Sequence, residues 1–271
     1  MSRRIILPLI AFLLLALPRH GEALEIHSFH CLHGCPKGPT EARDLVIRQI
    51  YLLSANNETK LADWVAYRVT PETIGSQSTR NWRRDPWLAP DETLSPGDYE
   101  GAHAALGTDR GHQAPLAALA GTADWAETNY LSNITPQAAD LNRGAWLRLE
   151  TAVRNLAREE GVEAVYVVTG PLFERPMPPL PNAERAHRVP SGYWKLVALD
   201  QGEDVLAAGF VMPQEAARGD GHCLYRSDLP AIEAASGLTF FHGLDAAPRV
   251  VVHDGAEALL ARLGCAEAES G

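Results

Sequence analysis

Positive charge is what this chain is shortest of. Its 271 residues carry 24 lysines and arginines against 34 aspartates and glutamates, a formal net charge of −10. A protein that simply coats a polyanion needs the opposite, a basic footprint. An enzyme that binds such a substrate transiently needs only a local one, so the acidic balance excludes passive packaging but not catalysis. Long apolar runs are missing too. The longest, Ile5 to Leu17, is about 13 residues where a membrane-spanning helix takes roughly 20. Cysteine is scarce, at four residues, and the four do not form the two close pairs of a zinc site: Cys31 and Cys35 are neighbours, whereas Cys223 and Cys265 are far apart. Low-complexity linkers and internal repeats are absent, which favours one domain.

The apolar run stands between Arg3-Arg4 and a small-residue site ending at Gly21-Glu22-Ala23, the order of a secretory signal peptide. Residues 1–23 are therefore expected to be a leader and residues 24–271 a single domain, secreted or periplasmic, with no membrane contact in the mature form. An even cysteine count in an exported chain reads as two disulfides. Four cysteines permit three pairings, and proximity favours Cys31–Cys35 and Cys223–Cys265.

Val46 to Leu53 and Trp64 to Val69 are rich in β-branched and aromatic residues, with a turn signal at Asn56-Asn57, and predict a hairpin. The stretch from Pro71 to Thr108 is a long Pro-, Asp-, Ser- and Gly-rich loop, and loops of that length are usually functional. Arg143 to Glu159 lacks proline and spaces Trp146, Leu149, Val153 and Leu156 at three and four residues before Gly161, which predicts a helix. Ala164–Thr169, Tyr193–Leu199 and Val205–Met212 read as strands. Asp228 and Asp254 read as N-caps of late helices ended by Gly237 and Gly264. Strands in hairpin-like succession without regular strand–helix alternation indicate an α+β fold with a largely antiparallel sheet.

In Asp109-Arg110-Gly111-His112 a histidine sits beside charged residues and a glycine. Its ordinary pKa near neutrality suits a general base. Asn129, Asn133 and Asn142 follow. Turn or capping duty competes with a site role for each of them, and for Asn142, at or just before the helix start, the alternatives are N-cap and metal ligand. At 100° per residue Glu150 and Arg154 fall about 80° and 120° around one helix from Asn142, so all three can share a side. Arg80, Arg83 and Arg84 cluster upstream, although a solvated surface is the default for such charges.

These blocks together resemble the DNA/RNA non-specific endonuclease family, of the Serratia nuclease type related to mitochondrial endonuclease G. The likeness takes in Thr79 to Trp82, Asp109 to Ala117, Asn129 to Gln137, Leu141 to Glu150, Val168 to Leu172 and Ser191 to Lys195. The cysteines stand where secreted members of the family have two disulfides. The resemblance implies a ββα-metal core in a layered arrangement of sheet and helices. It implies cleavage of DNA and RNA to 5′-phosphate products, with His112 as general base and Asn142 as the only direct protein ligand of Mg²⁺. Glu150 would act on that ion through water and Arg80 would stabilise the transition state, with Arg110, Arg154, Asn129 and Asn133 supporting the site. It leaves open whether Mn²⁺ substitutes, and a homodimer is a family property that this sequence alone does not show. Two rival readings are a metal phosphodiesterase for another substrate and a nucleic-acid-binding protein that has lost catalysis. An intact His112, Asn142, Glu150 and Arg80 set speaks against the second, as does the acidic charge, which makes passive binding weak and salt-sensitive.

Overall fold

Two-residue alternation of side chains shapes the centre of the molecule. In the computed structural model, which describes residues 26–38, 43–202, 204–246 and 251–265, the chain begins with strands β1 (Arg43–Ile47), β2 (Leu52–Asn56) and β3 (Leu61–Val69). Helix α1 (Ala102–Leu106), strand β4 (Thr108–His112), helix α2 (Leu116–Leu119) and strand β5 (Ile134–Ala138) follow. Helices α3 (Ala139–Asn142) and α4 (Ala145–Leu156) then lead into strands β6 (Val165–Leu172), β7 (Gly192–Asp200) and β8 (Asp204–Pro213). The last elements are β9 (Arg226–Ser227), α5 (Leu229–Ser236), β10 (Val251–Asp254) and α6 (Glu257–Arg262).

The main sheet runs β1-β2-β3-β6-β7-β8-β10, with β9 also paired to β8. Every neighbouring pair is antiparallel except β8 with β10. On β3, Val65, Tyr67 and Val69 join the apolar layer that holds Trp146, Leu149, Val153 and Leu156 of α4. Trp64 and Ala66 point to the opposite layer, with Ile232 of α5 and the Cys31–Cys35 loop. Successive strand residues face opposite ways, so a sheet covered on both faces has apolar residues at nearly every position, as in β7. Strands β4 and β5 form a separate two-stranded sheet, rooted through Ile134 in a third cluster with Leu61, Leu94, Tyr99 and Leu131. The order β4, β5, then α3 and α4 gives the ββα unit, and the α+β layered fold is as expected.

Several local expectations change. Val46 to Leu53 is not one strand: the chain turns at Arg48, whose N–H donates to Tyr51 O at 2.9 Å, and the hairpin is β2 with β3. The long loop carries α1 and short 3₁₀ turns at Pro71–Thr73 and Pro96–Tyr99. The helix expected from Arg143 to Glu159 is α4, which starts two residues later at Ala145, while Asn142 ends a separate short helix, α3. A Cβ on Gly144 would lie 2.4 Å from Asp140 O and 3.0 Å from Arg218 O, a close approach that only glycine permits. Asn142 is thus neither the N-cap of α4 nor on its face, and the single-helix angles do not apply. Asp228 does cap α5, accepting from Ala231 N at 2.7 Å. Asp254 does not start α6; it ends β10, and its carboxylate accepts from Leu229 N of α5 at 2.8 Å. The expected leader, residues 1–23, lies outside the described residues.

Both disulfides are present as Cys31–Cys35 and Cys223–Cys265. His222 stands with Cys223 and Cys265, but both sulfurs are committed to the bond, and His222 Nε2 pairs with Leu263 O at 2.8 Å. The first bridge closes a separation of 4 residues and the second one of 42. In a chain-entropy account the loss of Cys223–Cys265 therefore costs about 2 kcal/mol more than the loss of Cys31–Cys35. Urea midpoints of the two Cys→Ala double variants check this, and equal midpoints would contradict it.

Candidate active site

Strand β4 carries the chemistry-bearing residues, and its alternation sends Arg110 and His112 to one face. Gly111 between them pairs with Thr135 of β5. A Cβ there would lie 2.4 Å from Oε1 of the buried Gln137, so the glycine of the motif is a packing requirement. Trp82 lies beside both neighbours, its ring centroid 5.2 Å from that of His112 and 5.9 Å from the Arg110 guanidinium. Arg110 also donates to Pro96 O at 3.0 Å.

The ring of His112 is partly buried, and its Nε2 lies 3.3 Å from Asn129 Oδ1. The amide of Asn129 donates in turn to Thr79 O at 3.4 Å, so its oxygen is the acceptor and Nε2 carries the proton. The lone pair is then on Nδ1. Burial first, and the charge of Arg80 second, hold the imidazole down to about 4. The ring is therefore neutral at ordinary pH. Arg80 is exposed, with Nη1 donating to Ser78 O at 2.9 Å.

Asn142 is fixed by Asp109 of the same strand: Nδ2 donates to Asp109 Oδ2 at 2.9 Å. The same carboxylate receives the Arg143 guanidinium at 2.7 and 2.6 Å. Burial works to raise the Asp109 pKa, but the Arg143 and Asn142 hydrogen bonds and the charges of Arg143 and His103 outweigh it and hold the group ionised. With the amide nitrogen committed, the free polar atom of Asn142 is its oxygen, a hard donor of the kind Mg²⁺ takes. Trp82, Tyr99, Asp109, Arg110 and Asn142 line an open cleft of about 320 Å³.

Glu150 projects from α4 towards Lys195 of β7, with Lys195 Nζ 3.8 Å from its Oε1. Burial raises the Glu150 pKa, and Lys195, Arg154 and Arg80 oppose that rise. Lys195 is fully buried, its ammonium 3.8 Å from the centroid of the Trp146 ring, and burial lowers it to about 8. Arg154 donates to Thr151 Oγ1 at 2.8 Å. The charge of Arg80 acts on both His112 and Glu150, so strand, loop and helix converge there.

Asn133 differs from its neighbours. It receives Ala114 N–H at 2.8 Å and donates to Ala114 O and Thr128 O at 3.0 and 2.9 Å. Its side-chain polar groups thus clamp two stretches of backbone, one just after His112 and one just before Asn129. Sequence reasoning had assigned no role to Asp109, Trp82 or Lys195. The lysine left a signal, a lone charge in the otherwise apolar run Tyr193 to Leu199.

The model of the DNA/RNA non-specific endonuclease family matches residues 36–247. A nuclease of Serratia marcescens is 46% identical over 236 residues, covering 87% of this chain and 88% of the relative. Mitochondrial endonuclease G of Homo sapiens is 33% identical over 218 residues, covering 71% of this chain and 68% of the relative. The crystal structure of the EndoG/EndoGI complex superposes with a TM-score of 0.67 at 24% identity, covering 81% of this chain and 93% of the other. That likeness extends to the fold.

Asn133→Ala leaves the buried Ala114 N–H without a partner. It is expected to lower stability by about 1–3 kcal/mol, read from urea unfolding. An unchanged midpoint would show that the clamp is dispensable.

Proposed function

The chain belongs to the DNA/RNA non-specific endonuclease family, and on that premise we propose that it hydrolyses phosphodiester bonds of both DNA and RNA. His112 is the general base in this reading, and the Asn142 side-chain oxygen is the direct protein ligand of a Mg²⁺ ion. The observation that carries it is the pairing on one strand of a neutral imidazole, held through Asn129, with the carboxylate that orients Asn142.

His112 Nδ1 takes the proton from the attacking water, while the Nε2–H bond to Asn129 Oδ1 keeps the ring in one tautomer and orientation. When bound, the ion supplies charge neutralisation at the phosphate and its departing oxygen. Arg80, always charged, meets the negative charge that builds up on the phosphate. Glu150 accepts hydrogen bonds from waters in the site, and the cations of Lys195 and Arg154 favour its ionised form. Arg110 and Arg154 complete the local positive field. In-line attack on phosphorus needs no ribose 2′-hydroxyl, and contacts to the backbone carry no sequence information. Both features support action on DNA and RNA alike, leaving a 5′-phosphate on the product.

Residues 24–271 form one catalytic unit in this proposal, exported after removal of the leader. The basic start and short apolar run support export, as do the two disulfides.

Purified protein is expected to degrade plasmid DNA and RNA with Mg²⁺ and to leave both whole with chelator. Intact polynucleotide in the presence of the ion would overturn the proposal. His112→Ala is expected to lower turnover by about 10²- to 10⁴-fold without unfolding, and a folded variant with wild-type turnover would remove His112 from the mechanism.

The pH dependence has a definite sign. The base acts when neutral, so activity falls as pH drops through its pKa. In the free enzyme that pKa is about 4 rather than the ordinary 6.5, which places the acid limb of kcat/KM correspondingly low. Bound phosphate favours the imidazolium and raises the pKa, so the limb of kcat lies at higher pH than that of kcat/KM. A common midpoint near 6.5 in both profiles would contradict the assignment.

A further inference from the structure

Trp87 is the most exposed large aromatic ring among the described residues, at 61%, and its inner face is already accounted for. The guanidinium of Arg48 lies 4.2 Å from the centroid of the Trp87 ring and 4.4 Å from that of Tyr130. A second guanidinium, from Arg83, stacks on Tyr130 at 4.6 Å. The order Trp87, Arg48, Tyr130, Arg83 is thus one ladder of alternating rings and cations. Arg48 is itself buried and held by Asp85 at 2.5 Å and Glu127 at 3.0 Å. Asp85 also takes the Trp87 N–H at 3.0 Å and the Ser132 hydroxyl at 2.6 Å. The indole therefore stands on a fixed base, with its outer side open to solvent.

The ladder is continuous with the candidate active site. Arg83 forms a parallel bridge with Tyr130, and its N–H donates to Asn129 O at 3.3 Å. Asn129 is the residue that holds His112. The segment that ends at Trp87 also carries Arg80 and Trp82. Arg80, Trp82, Arg83 and Trp87 thus stand on one segment, which is tied at Arg83 to Asn129 and through it to His112. Bases present a π-face whatever their identity, and stacking on an aromatic side chain favours unpaired bases without selecting a sequence.

We propose that Trp87 is a stacking site for an unpaired nucleobase of the substrate strand flanking the scissile phosphate. The proposal rests on the nuclease reading above and deepens it: the residue binds substrate and takes no part in bond cleavage. A stack present equally in ground and transition states changes KM and leaves kcat alone.

The test compares wild type with Trp87→Leu, which still covers Arg48 but offers no π-face, and with Trp87→Phe. With single-stranded DNA oligonucleotides, Trp87→Leu is expected to raise KM about 5- to 100-fold at unchanged kcat, the range of one base–aromatic stack, with Trp87→Phe intermediate. On oligonucleotides carrying one abasic residue at successive positions, one position should erase the difference between wild type and Trp87→Leu. A second arm titrates the same oligonucleotides in chelator: tryptophan fluorescence of the wild type should be quenched more than that of Trp87→Leu. Equal KM values with equal quenching would overturn the proposal. So would a change in sedimentation on Trp87→Leu with unaltered oligonucleotide affinity, which would make this face a contact between protein copies. Failure of the wild type to cut any polynucleotide would instead strike the nuclease reading, while the chelator arm still tests base stacking.

Discussion

One carboxylate joins the two halves of the site. Asp109 lies on β4, three residues before His112, and accepts hydrogen bonds from Asn142 and Arg143 at the junction of α3 and α4. A backbone bond from Ala139 N–H to Gly107 O at 2.8 Å ties the start of α3 to the start of β4, and the carboxylate adds the link at the far end of α3. Charge-assisted bonds to a fixed carboxylate are short and directional. The carboxylate therefore sets where the Asn142 oxygen points, while the core residues Trp146, Leu149, Val153 and Leu156 hold α4, with Glu150 and Arg154, against the sheet. The break at Gly144 allows the arrangement, because a continuous helix would carry Asn142 around the axis and away from Asp109.

Burial then divides the ionisable groups according to their charge. His112 is kept neutral by lost hydration and by the cation at Arg80, with Asn129 opposing weakly. Glu150 feels the same burial but faces three cations, Lys195, Arg154 and Arg80. A neutral imidazole and a carboxylate whose upward shift is opposed by three cations thus lie within reach of the same arginine. The buried ammonium of Lys195 rests on the Trp146 ring, where the negative face of the π-system offsets part of its lost hydration. Removing one partner from such a cluster leaves the others buried and uncompensated, a costly state.

How much of this was legible in the sequence depended on the range of the interactions. Short apolar runs located β6, β7 and β8, and a period of 3.6 located α4, to within a few residues, because a strand covered on both faces is apolar throughout and a helix on one layer is apolar along one stripe. The motif around His112 and the later asparagines were singled out through the family resemblance, and two of those asparagines are bonded to the motif, Asn129 to His112 and Asn142 to Asp109. What escaped depended on contacts remote in sequence. Asp254 has the local look of a helix cap, yet it accepts the N–H of Leu229, the first residue of α5, 25 residues upstream, whose N-cap is Asp228. The strand break at Arg48 follows from a guanidinium that must reach Asp85 and Glu127, and no local propensity records that. Asn133 shows why type and spacing are insufficient: it stands beside Asn129 in the sequence, but its amide is consumed by backbone clamping while that of Asn129 reaches the imidazole.

The acidity of the chain also acquires a physical place. Screening confines surface charges to a reach of about 8 Å at physiological salt, so a net charge of −10 spread over the surface does not decide the local field in the candidate site. Around His112 and Glu150 the nearby charges are instead cations, Arg80, Arg154 and Lys195. A uniformly basic surface would hold substrate and product equally tightly and would slow release without lowering the barrier. Phosphate contacts weaken steeply with salt, whereas base stacking depends far less on ionic strength. Under the proposed function, an acidic chain that gathers its cations about His112 and Glu150 grips a strand locally and releases it after the cut.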